Sequence, residues 1–400
     1  MTYELASRVR SMQPSATLAI TQKAKELTDQ GVDVISFGVG QPDFTTPEHI
    51  REAAKVAMDE GHTGYTTVRG VNPLLEAIRD ESLRRRGVSH DTSEIVASVG
   101  AKHTLFNLAL ALYEPGDEVI VPAPYWVSYP AQVEFVGAIP KVVSTREDDG
   151  FRLTPELLKA NVSDKTKALI LCSPSNPTGA AYAKEHLEAL AEALKDTGDY
   201  WILVDEIYGE LTYDGFEQHS LVSVAPELRD RIIIVDGVSK TYAMTGWRIG
   251  WALAPAHIAK AVEKVQGQST TNPASMAQYG AVAALRGDKA PIDAMRAEFA
   301  KRRRVVIDGL NAIDGISCRE PEGAFYAFPN LQPLLGRKSK GKALEDDLAL
   351  GGWLLEEAGC ALVPGSAFGA PGYMRMSYAT SMDNIEEGLA RIKKAVAGLE

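Results

Sequence analysis

Lys240 is the residue whose neighbours most clearly prepare it for chemistry. It sits in Gly237-Val238-Ser239-Lys240-Thr241-Tyr242-Ala243-Met244-Thr245-Gly246-Trp247-Arg248-Ile249-Gly250-Trp251, directly after the apolar run Ile232-Ile233-Ile234-Val235. Such a run reads as a fully buried strand of a parallel sheet. A lysine just past it lies at the edge of a cavity, where desolvation and nearby cations lower the amine's pKa and free a nucleophile for a carbonyl. Arg248, eight residues on, can return a planar cation to the same place, at a spacing that suits a phosphate ester aldehyde. A lone lysine after a strand is more often a surface residue; here small residues crowd both sides of it.

Four other apolar runs end in residues of the same kind. Residues 95–99 lead into Gly100-Ala101-Lys102, and 118–121 into Pro124-Tyr125-Trp126-Val127-Ser128-Tyr129. Residues 167–172 lead into Ser173-Pro174-Ser175-Asn176-Pro177-Thr178-Gly179, and 200–204 into Asp205-Glu206-Ile207-Tyr208. Each has an ordinary reading: a glycine turn, a core aromatic, an Asn-Pro turn, a helix cap. A glycine turn feeding a helix is also an anion site, and a lysine there opposes the helix dipole unless an anion is bound. A carboxylate at the end of a buried strand is costly unless a cation meets it. In a parallel sheet all five strand ends lie on the carboxyl edge, where open α/β folds bind ligands. That convergence of Lys102, Trp126, Asn176, Asp205 and Lys240 carries more weight than any one motif.

The elements that must position them alternate strand, loop and helix. Helices are expected over 17–31, over 46–60 with Thr46 as cap and Pro47 at its first position, through 86, over 104–112, and over 291–310. After residue 251 the chain turns to helices, then to short strands and helices that include Gly323-Ala324-Phe325-Tyr326 and Arg375-Met376-Ser377-Tyr378.

From Pro14 to Tyr378 the chain resembles the fold-type I pyridoxal-phosphate enzymes, specifically class I aminotransferases, and within them the bacterial aspartate aminotransferase subgroup. The resemblance implies an α/β fold: a large domain with a mostly parallel seven-stranded sheet covered by helices, and a smaller α+β domain formed by the N-terminal segment and the C-terminal part. It places residues 1–48 in an N-terminal arm and part of the small domain, 49–289 in the large cofactor-binding domain, and 290–400 in an interdomain helix and the C-terminal small domain. It implies that Lys240 carries pyridoxal 5′-phosphate and moves the substrate proton. Gly100, Ala101, Lys102, Ser239 and Arg248 then hold the phosphate, Trp126 stacks on the ring, Asp205 pairs with its nitrogen, and Asn176 and Tyr208 meet its phenolic oxygen. Tyr65, in Gly64-Tyr65-Thr66, reaches the phosphate of a neighbouring copy, so a homodimer is expected. Gly40, Trp126, Asn176 and Arg375 bind the substrate's α-carboxylate end. Lys102, with Ser15 and Thr17 of Pro14-Ser15-Ala16-Thr17, is similar to the distal-carboxylate set of the bacterial subgroup. The expected substrates are L-aspartate and 2-oxoglutarate, exchanged in a ping-pong sequence through pyridoxamine phosphate.

Two departures matter. Some relatives carry serine where this chain has Gly237, so a phosphate donor is missing there or replaced by a backbone N–H. Prephenate-using relatives carry a lysine just before the Pro-Ser-Ala-Thr string, where this chain has Gln13. An aminotransferase of aromatic or alanine specificity, and a β-lyase or cyclase on the same fold, remain as alternatives.

Composition agrees with such an enzyme and against other classes. Of the 400 residues 45% are hydrophobic and 24% charged, with a net charge of -11 that disfavours nucleic acid as partner. No window approaches the ~18 apolar residues of a membrane span. Three distant cysteines without a C-x-x-C read as reduced thiols of a cytoplasmic protein, and the scattered histidines show no metal-ligand spacing.

Overall fold

The computed structural model describes residues 4–10, 12 and 16–400, with the backbone alone described for 16–19 and 21. A seven-stranded sheet runs in the order Ile95–Ser98, Gly250–Leu253, Ile232–Gly237, Trp201–Asp205, Thr166–Cys172, Glu118–Ala123, Ile139–Ser144. All pairings are parallel except those of Gly250–Leu253, which is antiparallel to both neighbours. The sheet is buried on both faces, which is why its central strands are continuous rather than alternating apolar runs. Ile232–Gly237 is buried at every position.

The smaller α+β domain is built on a three-stranded antiparallel sheet, Val363–Pro364, Met374–Ser377 and Tyr326–Ala327. Its helix Met382–Val396 starts where Ser381 accepts from the N–H of Asn384, and it buries Ile385, Leu389, Ile392 and Val396, one stripe at helical spacing. Far upstream, Ile35–Ser36 pairs in parallel with Cys360–Ala361, which ties the N-terminal segment to this domain. The 22-residue helix Ala290–Asn311 joins the two regions and buries Met295, Phe299, Val306 and Leu310 in the smaller domain's core.

One expectation about a helix start is overturned. The helix at 46–60 spans Glu48–Asp59 with Pro47, not Thr46, at the N-cap. The Thr46 hydroxyl instead donates to Ala243 O at 2.6 Å and accepts from Trp247 Nε1 at 3.1 Å, so tertiary partners took the oxygen that the local cap needed. The helix expected from 104 begins at Ala101, which places Lys102 inside its first turn.

Candidate active site

The carboxyl ends of the parallel strands open onto a cavity of about 460 Å³, closed on its other side by residues 38–40 and by Tyr326 and Arg375 of the smaller domain. Gly40, Ala101, Lys102, Trp126, Asn176, Asp205, Tyr208, Ser239, Lys240, Arg248 and Arg375 all line it. Gly100 stands just behind. Its φ of 84° ends the strand-to-helix turn, and a β-carbon there would strike the Arg248 guanidinium, so only glycine lets the arginine lie across the helix start. Tyr65 is outside the cavity and 92% exposed. Ser15 and Gln13 lie outside the described residues, as does the side chain of Thr17.

At the anion end, Arg248 donates to Thr245 O at 2.8 Å and Val99 O at 3.3 Å. Its own φ of 57° turns the chain back beside the first turn of Ala101–Leu112, whose N–H groups point outward with the helix dipole. Arg248 and a helix N-terminus meet there, and no salt bridge pairs Arg248 with a carboxylate among the described residues, a donor set suited to phosphate. Gly237 adds nothing to it. Its N–H is taken by Asp236 Oδ1 at 2.7 Å, and a β-carbon would come within 2.9 Å of Gly250 Cα. A side chain at this position would meet the neighbouring strand, and this residue's own N–H is not free to act as a phosphate donor.

On the cavity floor, Asp205 accepts from Tyr129 Oη at 2.7 Å and from the N–H of Ile207 at 3.1 Å. Burial pushes its carboxyl up to about 6 despite those donors. No salt bridge joins a described lysine, arginine or histidine to it, and a cationic ring nitrogen would suit a carboxylate so placed. Trp126 supplies a flat face beside it, with Tyr129 edge-on at 5.4 Å.

Lys240 Nζ donates to Gly40 O at 2.6 Å. Burial first, then the charges of Arg375 and Arg248, bring its amine down to about 8. An amine in that range is partly neutral at physiological pH and can attack a carbonyl or take a proton. Arg375 is buried and donates to Asn176 Oδ1 at 3.0 Å and Gly38 O at 2.7 Å, while its Nε has no partner. A guanidinium so arranged has a donor left for a carboxylate. Lys102 Nζ stands 4.9 Å over the Trp126 ring, its pKa lowered by burial and by Arg248.

The cavity also holds residues to which the sequence reading gave no role: Tyr129, Cys172, Ile207, Thr245 and Tyr326. Tyr129 lies one helical turn after Trp126, a spacing that could have brought it out. Tyr326 bonds Tyr208, 118 residues away, and no local pattern signals such a pair. Cys172, Cys318 and Cys360 are free thiols.

The chain is similar to known proteins over almost its whole length. The family model for aminotransferase class I and II matches residues 32–392. An aspartate aminotransferase of Geobacillus stearothermophilus is 48% identical over 391 residues, 98% of each chain. An aspartate/prephenate aminotransferase of Cereibacter sphaeroides is 44% identical over 99% of each. Among solved structures, an aspartate aminotransferase from Rhizobium meliloti superposes with a TM-score of 0.97 at 42% identity, covering 100% of both chains. The Thermus thermophilus aspartate aminotransferase with maleate gives 0.92 at 41%, covering 98% of this chain and 100% of that one.

Proposed function

Since the chain belongs to the class I and II aminotransferase family, whose cofactor is pyridoxal 5′-phosphate, we propose that it is an aspartate aminotransferase. It passes the amino group of L-aspartate to 2-oxoglutarate and yields oxaloacetate and L-glutamate in two half-reactions. The observation that carries this reading is a single cavity holding a desolvated lysine amine, a buried arginine with a spare donor, and a second cation, Lys102. Two cations lining one cavity suit a substrate with two carboxylates.

Arg248, Ser239 and the first N–H groups of the Ala101–Leu112 helix would hold the cofactor's phosphate, with Tyr65 of a second copy beside it. Trp126 would cover the ring, Asp205 would pair with its nitrogen, and Asn176 and Tyr208 would face its phenolic oxygen. When bound, the cofactor supplies a carbonyl for the amine and an electron sink that acidifies the substrate's α-hydrogen. The chain does the rest. Arg375 and Asn176 fix the α-carboxylate, which turns the Cα–H bond toward Lys240. Lys240 Nζ accepts that proton and later gives it up, one group acting as base and then acid. Tyr129 holds Asp205 in place by donating to Oδ2.

The purified protein is expected to show a visible absorption band that L-aspartate alone converts, releasing oxaloacetate at one equivalent per site. A band that aspartate leaves unchanged would refute the substrate; no band after adding pyridoxal 5′-phosphate would refute the enzyme. Lys102→Ser is expected to raise KM for aspartate roughly ten- to hundredfold, the worth of one charge-assisted hydrogen bond, and to leave L-alanine turnover unmoved. An unchanged aspartate KM would remove Lys102 from substrate recognition.

The functional unit in this reading is a homodimer in the cytoplasm, supported by Tyr65, exposed and outside the cavity of its own chain, and by three free thiols. The domain division 1–48, 49–289 and 290–400 is part of the same proposal, supported by the strand pairing of Ile35–Ser36 with Cys360–Ala361 and by separate buried clusters.

A further inference from the structure

Tyr326 is fully buried in the strand Tyr326–Ala327 and belongs to neither end of the site as assigned above. Three contacts nevertheless meet on it. Its ring lies 4.7 Å from the centre of the Arg375 guanidinium, which Phe368 flanks at 5.1 Å. Its hydroxyl is 2.9 Å from the hydroxyl of Tyr208, across the boundary between the smaller domain and the large sheet. The same oxygen stands 3.2 Å from where a β-carbon on residue 40 would be, so it also borders the loop whose carbonyl receives Lys240.

We propose that Tyr326 is a positioning residue that serves both ligands at once: its ring fixes the plane of Arg375, and its hydroxyl fixes the direction of the Tyr208 hydroxyl. The proposal rests on the reading above, in which Arg375 meets the substrate carboxylate and Tyr208 the cofactor's phenolic oxygen. The physical case has two parts. Arg375 has only two hydrogen-bond acceptors on its terminal nitrogens, which leaves it free to tilt about them unless flat faces hold it. Tyr208 has a rotatable O–H. When Tyr326 donates to the Tyr208 oxygen, the Tyr208 proton has one useful direction left, into the cavity.

The two halves separate in the holoenzyme. Tyr326→Phe keeps the ring and removes the hydroxyl. The dissociation constant of maleate, a dicarboxylate without an amino group to transfer, should stay within about twofold, while Tyr326→Leu should weaken it roughly tenfold, the worth of a desolvated cation–π contact. The pH midpoint of the visible band should rise in Tyr326→Phe by about half a unit to one unit. A weaker donor from Tyr208 stabilises the deprotonated chromophore less, and one neutral hydrogen bond is worth that much. A purely packing role would move neither in this pattern. Unchanged maleate affinity in the leucine variant, or an unmoved midpoint in the phenylalanine variant, overturns the proposal. Arg375→Ala is the control: if it too leaves maleate binding unchanged, the carboxylate reading of Arg375 has failed, not the part given to Tyr326. Should the leucine variant not fold, the midpoint of the phenylalanine variant still decides.

Discussion

Lys240→Met is expected to fold, to lose turnover by roughly four orders of magnitude or more, and to be more stable than the wild type at neutral pH when both lack cofactor. The first effect, the loss of turnover, follows because in the proposed function one atom serves as nucleophile and as proton carrier, and general acid–base catalysis alone contributes about 10²- to 10⁴-fold. Methionine fills the space without either function. The second follows from burial. The Lys240 amine titrates at about 8 in the folded protein against 10.5 for a free side chain. Between those values the unfolded chain binds the proton more readily than the folded one, so wild-type stability rises with pH across the interval. The penalty is full below pH 8 and gone above the free lysine's value; it amounts to about 3 kcal/mol. Urea unfolding of the cofactor-free proteins at pH 7 and at pH 9.5 checks this. The gap between variant and wild type should narrow at the higher pH, and a constant gap would mean that the amine is not desolvated as the structure has it.

How far this site was readable from the sequence depends on how local each signal was. Lys240, Asp205, Asn176, Trp126 and Lys102 could be found because each lies within five residues of the end of an apolar run, and a parallel sheet brings such ends to one edge without further information. The antiparallel strand Gly250–Leu253 left no such mark. It exists because the twelve residues between it and Ile232–Gly237 hold only the short turn Thr245–Trp247 and Arg248 at φ 57°, and no crossover helix carries the chain back for a parallel return. Thr46 was misread because a cap signal considers only the next three residues, while the oxygen was claimed by Ala243 and Trp247, about 200 positions away. At Gly237 the sequence raised the question of a phosphate donor, while the close approach of Gly250 that bars a β-carbon there belongs to a strand with no local signal. Tyr129 and Tyr326 act by supporting Asp205, Tyr208 and Arg375, and support between distant segments has no sequence period.

Arg375→Ala should reduce kcat/KM for aspartate and for 2-oxoglutarate alike by roughly two to three and a half orders of magnitude. Removing one partner of a buried ion pair costs about 3–5 kcal/mol, because the other charge is left uncompensated in a poor solvent, and each 1.4 kcal/mol is about tenfold. In the proposed function that other charge is the substrate carboxylate. Arg375→Lys should recover only part of the loss. Arg375 bonds Asn176 Oδ1 and Gly38 O through its two terminal nitrogens while Nε stays unpaired, and an ammonium cannot keep those bonds and present a parallel pair of donors. The pattern across substrates is what separates this residue from Lys102. Every amino acid and oxo acid carries the α-carboxylate, so Arg375→Ala must depress L-alanine turnover as strongly as aspartate turnover, whereas Lys102→Ser spares alanine. Were Arg375→Ala to depress aspartate turnover and leave alanine untouched, the two cations would have to exchange roles, with Arg375 at the distal carboxylate and the substrate reversed in the cavity.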